Sequence, residues 1–131
     1  MEAIEVGKHC RIEVVEDVPC LKIKWLGLPP SDEFRKGCNA ALELMRKHNI
    51  TKVLTDNTEA KVFAVEDQKW LNEEWLPQAQ AVGYRCSAVL LPNDPFITFA
   101  VKNIMAKRDP KKFISRFFTD ECNALDWLKQ I

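Results

Sequence analysis

The sequence predicts an α/β fold of order ββαβαβαβα, with a mixed sheet whose inner strands are parallel and covered by helices. Three observations predict it. Two runs near the N-terminus alternate apolar and polar residues, as half-buried strands do. After them, apolar stripes at offsets of three and four residues take turns with short apolar runs, the pattern of helices crossing over between parallel strands. No repeat, low-complexity tract or Gly/Ser linker divides the 131 residues, so one domain spanning 1–131 is expected.

The first strand is expected over Arg11–Glu16 and is broken by Asp17, Val18 and Pro19. The second, Leu21–Leu26, places Leu21, Ile23 and Trp25 on one face and Lys22 and Lys24 on the other. The two read as an antiparallel pair near a sheet edge with the lysines toward water. Ser31 follows two prolines and is expected to cap the first helix, with Asp32 and Glu33 at the positive end of its dipole. Phe34, Cys38, Ala41, Leu42 and Met45 form its apolar stripe, and Arg46, Lys47 and His48 precede a stop at Asn49. Val53 and Leu54, closed by Thr55 and Asp56, read as a short buried strand.

A second helix is expected from Val65 to Val82, inward through Leu71, Trp75, Ala79 and Val82 and capped by Gly83. Pro77 lies inside it and has no N–H for the carbonyl of Glu73, which predicts a kink. Ser87–Leu91 reads as the next buried strand. Asp94 and Pro95 open a third helix with Ile97, Ala100, Val101, Ile104 and Met105 inward. Phe113–Phe118 reads as the last strand, and Thr119 or Asp120 caps a final helix burying Ala124, Leu125 and Leu128.

Composition excludes several functions. Nineteen basic residues balance nineteen acidic ones, which argues against a nucleic-acid partner. Residues 1–8 carry two glutamates and no apolar stretch, so they do not form a signal peptide. No apolar run is long enough for a transmembrane segment, and a cytoplasmic location is expected. Five cysteines, an odd number without a CxxC, read as reduced thiols acting as small buried hydrophobes. His and Cys are scattered apart from His9 beside Cys10, so no metal site is expected.

Chemistry-bearing motifs are missing in the same way. There is no GxGxxG, P-loop, HExxH or GxSxG, and four glycines leave little material for a phosphate-cradling loop; no cofactor is expected. His48 is explained by the helix dipole, and no cysteine has an identifiable base and orienting group. Glu73 and Glu74 are adjacent on a helix, point apart and read as a solvated face. Four tryptophans say more. Trp25, Trp75 and Trp127 fall on inward faces, whereas Trp70 sits one residue off the Leu71–Trp75 stripe, where it suits a pocket or partner surface.

Several segments together resemble the SpoIIAA-like family, which is related to the STAS domain and often grouped with Sec14-like lipid-binding domains. They are Lys52–Asp56 (KVLTD), Glu66–Ala79 (EDQKWLNEEWLPQA), Ser87–Phe96 (SAVLLPNDPF) and Phe117–Leu128 (FFTDECNALDWL). The resemblance implies a STAS/SpoIIAA-like fold and a non-enzymatic protein-interaction or regulatory module. STAS domains that antagonise anti-sigma factors are switched by phosphorylation of a serine in an Asp-Ser-Ser-Gly motif opening the second helix. Here the corresponding stretch is Phe63–Gln68, with Glu66 and Asp67 where the serines would be, so the switch is not carried over.

Two binding expectations follow. One is a protein partner or self-association through the second helix and its preceding loop, with Asp56, Thr58, Glu66, Asp67, Trp70 and Trp75 as candidate residues. The other is a carrier of a small apolar ligand or lipid, as the Sec14-like kinship implies, with a pocket around Trp75, Phe96 and Phe99.

Overall fold

Six strands join into one sheet in the order in which the chain makes them, in a computed structural model that describes residues 3–131. They are β1 (Ala3–Val6), β2 (Cys10–Val15), β3 (Cys20–Gly27), β4 (Lys52–Ala60), β5 (Cys86–Leu90) and β6 (Ile114–Phe118). The pairs β1–β2 and β2–β3 are antiparallel, and β3 to β6 run parallel. The predicted order is present with β1 added in front. Four residues are too few to show a period, and β1 is defined instead by its ladder with β2. With β1 outermost, the β2–β3 pair lies near the sheet edge, as expected, and β3 is an interior strand.

Because every parallel step moves the same way, right-handed crossovers place all connecting helices on one face. That first face carries α1 (Ser31–His48), a bent helix over Val65–Ala81, and α4 (Pro95–Ala106). The last helix, α5 (Glu121–Gln130), follows the last strand and covers the second face. Side-chain alternation along the strands sorts the core accordingly. Leu21, Ile23, Trp25 and Val53 join Phe34, Met45 and Trp75 on the first face. Cys20, Leu54, Cys86, Ala88 and Leu90 meet Ala124 and Leu128 on the second. Lys22 and Lys24, expected to face water, are partly covered: Lys22 Nζ lies 2.5 Å from Glu121 of α5, and Lys24 Nζ 2.5 Å from Glu59 of β4.

Strand β4 runs well past Thr55 and Asp56, where the sequence suggested a stop. The register slips between Lys24 and Leu26, so that Asn57 and Thr58 together oppose Trp25, as in a β-bulge. The Asp56 carboxylate closes the bulge by accepting from Thr58 N–H at 2.9 Å and Thr58 Oγ1 at 2.6 Å. A turn-like side-chain bond thus sits inside a strand, and the local signal misleads.

The helix ends follow their residues, with one exception. Asn49 adopts a left-handed conformation (φ 54°) after α1. Gly83 (φ 108°) ends the bent helix, with its N–H on the Gln80 carbonyl and that of Tyr84 on Ala79, a Schellman arrangement. Asp94 accepts from the N–H groups of Phe96 and Ile97, and Asp120 from that of Cys122. Ser31 is the exception. It lies inside the first turn, no side chain caps α1, and its hydroxyl donates instead to Asp67 Oδ2 at 2.8 Å.

The bent helix has three parts: α2 (Val65–Trp70), a π-helical turn (Leu71–Trp75) and α3 (Leu76–Ala81). Just before Pro77, where a kink was expected, the helix forms a π-turn. The extra residue per turn lets the Leu76 N–H reach the Leu71 carbonyl immediately before the proline that lacks a donor. Helix α1 lies close on the sheet because Gly37 has no side chain. A Cβ there would come 2.9 Å from Trp25 Cη2 and 3.1 Å from Cys10 Sγ.

Candidate functional site

Two places carry chemistry, and both are built around the bent helix. The first is the edge of the sheet at the C-terminal ends of β3, β4 and β5. The Asp67 side chain, 2% exposed, is held there between α1 and α2 by Ser31 Oγ at 2.8 Å and Arg35 Nε at 3.4 Å. The Arg35 guanidinium in turn lies 5.1 Å above the Trp70 ring, which meets Phe34 edge-on at 6.3 Å. Glu66 and Thr58 are exposed, Trp70 is half-buried, and Asp56 is buried within the bulge. The six candidate residues therefore divide. Glu66 and Thr58 reach solvent, Trp70 does so in part, and Trp75 is buried. Asp56 and Asp67, placed among contact residues by the sequence, instead clasp the strand and the helices from inside.

Around this edge the chain exposes large apolar groups. Leu28 follows β3, Val62 follows β4, Val65 opens α2, and Phe96 and Phe99 lie in the first turns of α4 after β5. Val65, Phe96 and Phe99 are each more than 70% exposed. Phe96 and Phe99 were expected beside Trp75 in a pocket. They point outward, because Ile97, Val101 and Ile104 supply the inward stripe of α4.

The second place is a chamber between the first face of the sheet and the bent helix, with a cavity of about 60 Å3. Trp25, Phe34, Phe63, Trp75 and Tyr84 line it together with aliphatic groups such as Leu71 and Ile104, and Thr55, Asn57 and Arg108 add polar groups. Trp75 is buried here and donates its indole N–H to the Cys38 carbonyl at 2.8 Å, tying the π-turn to α1. Arg108, 8% exposed, donates from Nε to Asn72 Oδ1 at 3.1 Å, and its guanidinium lies 4.8 Å above the Phe113 ring. Asn72 also donates to the Ile104 carbonyl at 3.0 Å, so one residue of the π-turn binds both the end of α4 and the arginine. Among the described residues, Arg108 Nη1 and Ser87 Oγ are the buried side-chain atoms without a hydrogen-bond partner. Sequence reasoning missed Arg108 and Asn72. Arg108 stands in the basic run KRDPKK and reads as a solvated loop residue, and no local pattern marks it.

The thiols do not make a nucleophilic site. Burial pushes Cys10 and Cys20 up to about 12 and Cys86 to about 11, and raises Cys38 well above its ordinary value. Cys122 is exposed. His9 turns away from Cys10, with Nδ1 2.5 Å from Glu33 Oε2. Among the described residues, no three His, Cys, Asp or Glu side chains come together as metal ligands, and no helix is long and apolar enough to cross a membrane.

Comparison with known proteins adds to this geometry. No protein-family model matches the sequence, and no curated protein matches it. Solved structures do. The anti-sigma factor antagonist SpoIIAA in its unphosphorylated form superposes with a TM-score of 0.64 at 15% identity, over 93% of this chain and 99% of that one. The chain has a SpoIIAA-like fold. An uncharacterized protein from the DUF3478 family with a SpoIIAA-like fold, from Shewanella loihica PV-4, is similar over 98% of both chains, with a TM-score of 0.65 and 21% identity. In this chain the α2 N-terminus lies just after β4, with Val62, Val65 and Glu66 exposed around it.

Proposed function

We propose that this chain is a non-enzymatic, STAS-like regulatory module that binds a protein partner, or a second copy of itself, at the C-terminal edge of its parallel strands. The observation that carries the reading is the placement of exposed apolar groups. Among the six large hydrophobic residues exposed in the described chain, five (Leu28, Val62, Val65, Phe96 and Phe99) belong to segments that leave β3, β4 and β5 at that edge. Scattered apolar residues on a surface mean little, but several at the same end of a sheet suggest a contact. Partners of open α/β sheets gather at the carboxyl ends of the strands, where the connections can vary without disturbing the core. The SpoIIAA neighbour is an anti-sigma factor antagonist, and that description supports a protein as the partner class.

Glu66 adds a fixed negative charge in the first turn of α2, where the helix dipole favours it. Phosphorylation is not needed to supply charge at that position.

The test compares two ends of the same sheet. A photo-crosslinking residue at position 65 is expected to trap a partner or a second copy, whereas the same residue at Lys112, before β6 and at the opposite edge, is expected to trap neither. Val65→Asp with Phe96→Asp should abolish association in sedimentation velocity while leaving the circular dichroism spectrum unchanged. Equal crosslinking at both positions, or association unaffected by the double substitution, would overturn the reading.

A further inference from the structure

We propose that the outward flank of α4, with the turn that follows it, is a docking surface for an anionic lipid bilayer. Phe96 and Phe99 enter the interface, and Lys102, Lys107, Lys111 and Lys112 meet the headgroups. The inference goes beyond the protein contact proposed above. The two contacts share Phe96 and Phe99, so bilayer and partner compete for them.

The net charge of zero conceals an uneven distribution. Between Pro95 and Phe118 stand six basic residues and one acidic residue, Asp109. Of the six, Arg108 is buried, and Arg116 lies over Phe118 on the face that α5 covers. The four lysines remain, all exposed and none in a salt bridge among the described residues. Asp109 Oδ1 accepts from the Lys111 N–H at 2.9 Å, and Glu73 lines the groove that Lys107 borders. The surplus at this surface is positive, and a cluster of lysines on and beside a helix attracts anionic lipid.

Helical geometry arranges these groups. Ile97, Val101 and Ile104 turn α4 onto the sheet, so Phe96, Phe99, Asn103 and Ala106 form the opposite, exposed stripe. Lys102 and Lys107 flank that stripe on its two sides. The Lys102 ammonium lies 5.4 Å from the centroid of the Phe117 ring, beside β6, and Lys107 borders the groove toward the bent helix. α4 packs on β5 and β6 at the end of the sheet, and no later helix shields it on the first face.

Shape selects a bilayer over a rigid partner. Phe96 and Phe99 are 80% and 73% exposed and stand out from a convex helix rather than line a hollow. A rigid surface needs a matching pocket for each ring, whereas a fluid interface closes around them. Long lysine stems let the ammonium groups stay among the headgroups while the rings go deeper.

The test uses the native protein with vesicles of phosphatidylcholine, alone or mixed in equal parts with phosphatidylserine. Co-sedimentation is expected with the mixed vesicles only, and it should weaken as salt is raised. Each lysine changed to Ala should weaken binding by about fivefold, and Phe99→Ser should weaken it as well. All these positions are exposed, so circular dichroism should be unchanged. Lys102→Glu with Lys107→Glu should release the protein from vesicles while crosslinking from position 65 persists, and Val65→Asp should do the reverse. The two contacts thus fail separately. Equal binding to both vesicles, or binding to neither, would overturn the proposal. So would undiminished binding by Phe99→Ser, which would mark a surface for any polyanion, a nucleic acid or an acidic protein included.

Discussion

The two faces of the sheet solve the same packing problem with different residues. On the second face, α5 turns Ala124 and Leu128 onto Cys20, Cys86 and Ala88, small groups that let a helix approach the sheet closely, with Leu54 and Leu90 filling between them. On the first face, the rings of Trp25, Phe34, Phe63, Trp75, Tyr84 and Phe113 converge at centroid distances of 4.7–5.8 Å, mostly tilted or edge-on. Rigid rings tile a curved space less completely than small aliphatic groups, and the chamber lies where they meet. The difference teaches where function has room. The face built of small residues is closely filled, and the aromatic face encloses a cavity of about 60 Å3.

Removing a ring should break the comparison most strongly. Trp75→Ala deletes a buried indole together with its bond to the Cys38 carbonyl, and is expected to cost about 3–5 kcal/mol in urea unfolding. Enlarging the small face acts in the opposite sense. Ala124→Leu forces extra volume between α5 and β5 and should cost about 1–3 kcal/mol, with the circular dichroism spectrum retained.

The thiols probe both faces at once. Burial raises the pKa of Cys10 on the first face and of Cys20 and Cys86 on the second from 9.0 to about 12, 12 and 11. The unfolded chain ionises these thiols near pH 9, whereas the folded chain keeps them protonated. Their contribution is therefore complete below pH 9 and is lost as the pH climbs toward 11–12. Urea midpoints measured from pH 8 to 10.5 should fall, with each thiol contributing up to about 1.4 kcal/mol per pH unit. Flat midpoints would show that these thiols are hydrated.

The smallest effect is expected at the remaining cysteine. Cys122 is exposed at the start of α5, so native protein should take up one alkylating group there, shifting stability by no more than about 0.5 kcal/mol. Peptide mapping that finds rapid modification at Cys38 would show instead that the first face opens readily.

Much of the fold was legible because it is local. Stripes at Phe34, Cys38, Ala41, Leu42 and Met45, the caps at Asp94, Asp120 and Gly83, and the alternation of Leu21, Ile23 and Trp25 depend on neighbours within a few residues, and each is found as expected. The misreadings share a cause. β1 exists through its ladder with β2, β4 continues because Asp56 bonds within a bulge, and Ser31 serves Asp67 across 36 positions instead of its own helix. A side chain with two available partners takes the one that folding brings near, and the sequence nearby does not name it.

The candidate site divides along the same line. The element order and the inward faces were readable from nearby residues, as was the irregularity before Pro77, because periodicity and proline chemistry act over one or two turns. Folding in three dimensions made Asp67 an internal clasp, turned Phe96 and Phe99 outward, and brought Arg108 to Asn72. The burial of a charge and the partner it lacks are set by contacts 36 positions apart, and these exist only after the helices have closed over the sheet.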